Sequence, residues 1–174
     1  MSHHPPIEIE RKYLVRMPSL DALRAMEDYA QSDIEQIYLA SPDGSTHRIR
    51  RRTWATHTQY TETVKRRIDA RRAYEDEHEI DEQEYARLKA ERDPTRRVIC
   101  KVRHTFVYKN QLFEMDVYPF WSSQCVVETE LSDPNAAPPF PACLTVLREV
   151  SEDRRYSNAA LSHQIPDEEI DCKN

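Results

Sequence analysis

Acidic and basic side chains in this sequence alternate with apolar ones over short runs, and the runs are sorted by sign. Glu114 and Asp116 alternate with Phe113, Met115 and Val117, and Glu128 and Glu130 with Val127 and Leu131. Lys101 and Arg103 stand opposite Cys100 and Val102, and Arg48 and Arg50 flank Ile49. A period of two is that of a β-strand, whose successive side chains point to opposite faces. The same parity sets Glu8, Glu10 and Lys12 against Ile7, Ile9, Tyr13 and Val15, and groups Thr61, Thr63 and Lys65, and Glu75 with Glu77. A merely solvated face would mix the signs and include Ser, Asn and Gln. Like charges held close together cost energy unless an opposite charge relieves them. Paired carboxylates suit hard divalent cations, and clustered Lys and Arg suit phosphate oxygens. One face of this chain therefore reads as a binding surface for a metal–polyphosphate complex.

The remaining pattern places these runs on elements. Strands are predicted at 7–16, 34–40, 46–53, 58–67, 74–80, 98–108, 112–118 and 126–131. The clearest turn is Ser41-Pro42-Asp43-Gly44-Ser45, and Lys109-Asn110-Gln111 joins the last hairpin. Helices are predicted at 19–29, where Ser19 is an N-cap candidate before Leu20, Leu23 and Met26, and at 81–91 behind an acidic cap. The Pro-rich stretch 132–141 reads as irregular, and a C-terminal helix or helical pair is expected over 144–162. Many strands with few helices imply an antiparallel α+β domain or barrel.

Composition narrows the function. The 174 residues contain a single Gly, which excludes a Gly-rich phosphate loop or dinucleotide fingerprint, so side chains must supply any phosphate contacts. The net charge of −6 argues against a nucleic-acid binder despite the basic run 48–52. Cys100, Cys125, Cys143 and Cys172 are widely spaced and read as free thiols. There is no leader-like or membrane-length apolar run, and a cytoplasmic location with no membrane partner is the expectation. A single domain over 1–174, with its core at about 6–162, is expected.

The run Glu8-Ile9-Glu10-Arg11-Lys12 resembles the ExExK signature of the triphosphate tunnel metalloenzymes, also called the CYTH domain family. Arg48-Ile49-Arg50 is similar to the family's basic third strand and Thr63-Val64-Lys65 to its lysine-bearing fourth. Glu75 and Glu77, Lys101 and Arg103, Glu114-Met115-Asp116 and Glu128-Thr129-Glu130 follow in the family's order. The ending from Glu149 to Asn158 resembles the lid helix of the short bacterial tripolyphosphatase-like members. Arg66-Arg67, His104 and the scarcity of Gly depart from the family pattern.

The resemblance implies an eight-stranded antiparallel closed β-barrel, a tunnel with a charged interior, flanked by helices and a C-terminal lid helix. It implies Mg²⁺ or Mn²⁺ on Glu8, Glu10, Glu128 and Glu130 with Asp116 assisting, and phosphate on Lys12, Arg48, Arg50, Lys65, Lys101, Arg103 and the lid residue Arg155. Arg154 and Arg155 are both lid candidates for reaching the substrate, with one of the two expected to face solvent. Lys65 has two readings, a residue that orients or deprotonates the attacking water and a simple phosphate clamp. Glu75, Glu77 and Glu114 are supporting acids. The implied activity is metal-dependent hydrolysis of a small-molecule triphosphate, inorganic tripolyphosphate first. Adenylate cyclase, thiamine triphosphatase and a non-catalytic polyphosphate-binding module are the alternatives, and a homodimer is compatible with the sequence.

Overall fold

The computed structural model describes residues 7–41, 43–68, 72–131 and 136–169, without the side chains of residues 7–9, 67, 72 and 73. The Glu8 carboxylate, Pro42, residues 132–135 of the Pro-rich stretch and Cys172 thus lie outside the described residues. The strands are β1 (Ile7–Arg16), β2 (Glu27–Tyr38), β3 (Thr46–Thr53), β4 (Thr58–Arg67), β5 (Arg72–Ile80), β6 (Ile99–Tyr108), β7 (Gln111–Val117), β8 (Gln124–Glu130) and β9 (Val146–Glu149). Three short helices accompany them: α1 (Leu20–Arg24), α2 (Glu82–Lys89) and α3 (Asn158–Leu161), with a 3-10 turn at Arg154–Tyr156. None of the described helices is long and apolar enough to cross a membrane.

All nine strands form one antiparallel sheet in the order β5-β4-β3-β2-β6-β7-β8-β1-β9. This corrects the expected eight-stranded closed barrel. β1 divides its pairing: Glu10–Arg16 pair with β8, Tyr13–Val15 with β9, and only Ile7–Ile9 with β5. The sheet curls so that β1 and β5 touch over three residue pairs, while the ninth strand runs beside the middle of β1. The result is a curled nine-stranded sheet around a charged trough, with no barrel closed along its length.

Two other expectations change. Helix α1 ends at Arg24, and β2 begins at Glu27, where Asp28 takes a positive φ of 49°. The helix or helical pair expected over 144–162, with its lid helix at 149–158, is instead β9, the 3-10 turn and the four-residue α3. The other elements form as read. Asp81 caps α2 by accepting from the Glu84 backbone N–H at 2.8 Å, and Tyr85 and Leu88 of that helix cover Ile37, Leu39 and Ile49. The β6–β7 hairpin turns on Lys109 and Asn110, both at positive φ, which is the two-residue turn whose twist matches the strands. Asn supplies there the conformation that Gly more often provides.

Strand parity also decides where the apolar cores sit. Tyr13, Val15, Phe106, Phe113, Met115, Cys125 and Val127 form one cluster with Leu23 of α1 and Leu144. Leu14 and Val126, of opposite parity, join Tyr38, Ile99, Tyr118, Trp121, Val150, Tyr156 and Leu161 in another. The second cluster shares its β1 face with Glu10 and Lys12. The C-terminal segment therefore caps one end of the charged face, with the Tyr118 hydroxyl donating to Asn158 Oδ1 at 2.6 Å. Of the described cysteines, Cys100, Cys125 and Cys143 are free thiols.

Candidate active site

The inward parity positions line a cavity of about 920 Å³. Its acids are Glu10, Glu75, Asp76, Glu77, Glu114, Glu128 and Glu130, and its bases are Lys12, Arg48, Arg50, Arg52, Lys65, Arg96, Arg103 and Arg154. Strand register sets which side chains meet. Glu10 is opposite Glu130, Lys12 opposite Glu128, and Glu114 opposite Glu128, so β1, β7 and β8 concentrate carboxylates on one wall. Arg48 lies opposite Thr63, Thr63 opposite Glu77 and Lys65 opposite Glu75, so β3, β4 and β5 build a mixed, mainly basic wall.

Ion pairs fix the acidic wall from below. Arg103 grips Asp116 with two parallel bonds of 2.7 Å, reaches Glu128 at 3.1 Å and donates to Glu114. Lys101 donates to the same Asp116, and both of those side chains are fully buried. Lys12 Nζ lies 2.7 Å from Glu128 and 3.7 Å from Glu10. Burial alone would raise the Glu128 carboxyl, but Lys12, Arg103 and Lys101 outweigh it and hold that group well below the carboxylate range. The neighbouring Glu10 moves the other way. The Glu128 charge and burial push it up, against Lys12, Lys65 and Arg103.

The basic wall is less neutralised. Arg48 donates to Glu75 at 2.6 Å and stands 3.8 Å from Glu77, while Lys65 donates to Glu75 at 2.9 Å and Thr63 to Glu77 at 2.7 Å. Among the described residues Arg50 reaches only the side-chain Oε1 of Gln36, at 3.4 Å, and burial beside Arg48 and Arg103 pushes its guanidinium down to about 10. Among the described residues, the buried Arg48 Nε has no hydrogen-bond partner. Buried donors without acceptors cost free energy that an anion in the cavity would recover.

The structure thus brings Glu10, Lys12, Arg48, Arg50, Lys65, Glu75, Glu77, Arg103, Glu114, Glu128 and Glu130 to one cavity. Lys101 and Asp116 do not line it and serve as the buried pair behind Arg103. Arg155 does not line it either. It is two-thirds exposed, paired with Asp153 at 2.7 Å and laid against Tyr156. Three further cations line the cavity. Arg52 has the parity of Arg48 and Arg50, so its signal was in the sequence. Arg154 is the lid arginine that faces the cavity, and Arg96 comes from outside the strands, where no periodicity marks it.

The acidic wall has the chemistry of a divalent-ion site. It offers only carboxylate oxygens, and the upward push on Glu10 from Glu128 is a charge conflict that a cation would relieve. Among the described residues, no three His, Cys, Asp or Glu side chains converge closely enough to hold an ion by themselves.

A model of the CYTH domain matches residues 6–155. The chain belongs to the CYTH domain family. Among solved structures, the inorganic triphosphatase NE1496 is 30% identical, covering 94% of this chain and 99% of that one, with a TM-score of 0.57. The PH1819 protein of Pyrococcus horikoshii is 22% identical over 72% of this chain and 79% of that one, with a TM-score of 0.56, and shares the fold. No curated relative matches the chain. Family membership and the NE1496 likeness together favour triphosphate hydrolysis as the general activity of this CYTH protein.

Proposed function

We propose that this CYTH protein hydrolyses inorganic tripolyphosphate to pyrophosphate and orthophosphate, with Mg²⁺ or Mn²⁺. The observation that carries the reading is the pair of opposed walls in one cavity, acidic on β1, β7 and β8 and under-neutralised basic on β3 and β4. NE1496, an inorganic triphosphatase, supports it. So does the lining, most of whose side chains are charged; its described rings are Tyr38, which lies against Arg96 and whose hydroxyl accepts from Gln36, and the His163 imidazole. A lining this charged favours an inorganic chain over ATP or thiamine triphosphate.

Glu10 and Glu130 would hold the cation. A divalent ion there supplies positive charge to phosphoryl oxygens, the main demand of phosphoryl transfer. The chain's own residues do the rest. Arg48 and Arg50 hold phosphate oxygens, and Arg50 regains the counter-charge it lacks. Lys65, fixed by Glu75, acts as a phosphate clamp. Arg103 and Lys12 keep Glu128 ionised and oriented, so that wall stays preorganised before substrate arrives. Lys101 and Asp116 support Arg103 from behind. Released orthophosphate, followed with tripolyphosphate, ATP and thiamine triphosphate in parallel, tests the assignment. Tripolyphosphate should be turned over fastest, and cyclic AMP as the main product from ATP would refute it.

A further inference from the structure

Strand β3 carries three inward arginines, Arg48, Arg50 and Arg52, and all three line the cavity. Inward positions on a strand repeat every ~6.6 Å, so the row runs about 13 Å along β3. Its first member lies opposite Tyr38, at the end capped by Tyr156 and Leu161, and its last lies at the other end, beside the β3–β4 turn.

The three are held differently. Arg48 has Glu75 as a counter-charge. Arg52 is fixed by neutral groups alone: its Nε donates to the buried Ser32 hydroxyl at 2.9 Å, and its guanidinium lies 4.5 Å from the Trp54 ring. Trp54 is stacked on His57 at 4.4 Å in a turn closed by a 2.9 Å backbone bond, so the ring is a rigid support. Among the described residues, no carboxylate comes within ion-pair distance of Arg52, and both of its terminal Nη groups lack a partner. A planar guanidinium oriented but not neutralised is built to grip an oxyanion such as phosphate through two parallel bonds.

We propose that Arg52, braced by Ser32 and Trp54, grips a phosphate beyond those held by Arg48 and Arg50 and so sets the length of linear phosphate the cavity takes. The inference rests on the triphosphate reading of the same site. It extends the substrate class to linear inorganic phosphates longer than three units, lying along β3. Ser32 and Trp54 are positioning residues, because they act through Arg52.

Calorimetric titration in EDTA, where nothing turns over, tests it with pyrophosphate, tripolyphosphate and linear tetraphosphate. Wild-type affinity should rise at each added phosphate. Arg52→Gln should erase the gain from three to four, about tenfold or more, while pyrophosphate affinity stays within about twofold. Trp54→Leu, which keeps the charge and loosens its orientation, should lose part of the same step. An equal loss at all three lengths, or no loss with tetraphosphate, overturns the proposal. Turnover of tripolyphosphate without a length step in the wild type overturns the role of Arg52 alone. A length step in a protein that hydrolyses nothing overturns the hydrolysis reading alone. Binding of none of the three overturns both.

Discussion

Lys12 and Glu128 face each other across the β1–β8 register, with the lysine Nζ 2.7 Å from the carboxylate and both side chains nearly buried. Removing one partner of such a pair leaves a charge buried without compensation, which costs about 3–5 kcal/mol. Glu128→Gln also takes from Arg103 one of its three carboxylate partners. Its urea midpoint should fall by an amount equivalent to about 3 kcal/mol, and kcat/KM for tripolyphosphate by at least about 100-fold. The double variant Lys12→Met, Glu128→Leu should recover most of the stability and none of the activity. Recovery of both would show that the pair is structural only.

Lys65 separates its two readings by substitution. As a clamp fixed by Glu75 it needs positive charge, and Lys65→Arg should keep about a tenth or more of kcat while Lys65→Ala raises KM. A residue that moves a proton from water would make both variants lose about 100- to 10,000-fold in kcat. Steady-state kinetics of the two variants decides.

The adjacent arginines of the 3-10 turn should behave oppositely. Arg154 lines the cavity and Arg155 is turned outward onto Asp153. Arg154→Ala should raise KM several-fold, about 1 kcal/mol of binding, and Arg155→Ala should leave kcat and KM within about twofold. The reverse ranking would mean the turn is rotated in the working enzyme.

Acid should release the C-terminal segment. Glu169 accepts from Arg148 at 2.6 and 2.7 Å and from the Tyr156 hydroxyl, and these bonds, the Arg148 one foremost, lower its carboxyl. A carboxyl lowered by folding stabilises the fold above its unfolded value, and that contribution disappears as pH falls through the lowered one. Trp121 reports on the segment because its indole N–H donates to Pro166 at 3.0 Å. Its emission should be steady from pH 7 to about 5 and change below about 4. Glu169→Gln should show the changed emission already at neutral pH. Superimposable wild-type and variant profiles would remove Glu169 from the fastening.

Much of this site was readable because a strand's period is short and rigid. Once Glu114 and Asp116 are seen to alternate with Phe113 and Met115, their common face follows from the backbone. Depth along that face does not follow. Parity could not tell that Asp116 is sealed behind Arg103 while Glu114 reaches the cavity, since this depends on strand tilt and on the partners opposite. The stretch Val146–Glu149 was read as helix because four residues fit either period, and what makes it a strand is β1, more than 130 positions away. The same nonlocal pairing decided against a closed barrel: each strand was legible, but which strands lie beside β1 was not. Residues 26–30 illustrate a different failure, since Met26 completes an apolar stripe with Leu23, yet the sheet claims the chain from Glu27 onward.

The central claim is most directly tested by orthophosphate release from tripolyphosphate by the purified protein, with Mg²⁺, with Mn²⁺ and with excess EDTA. The account predicts rapid release with either cation, none in EDTA, and slower release from ATP. Undiminished release in EDTA, or no release from tripolyphosphate with either cation while the folded protein still binds it, would contradict it.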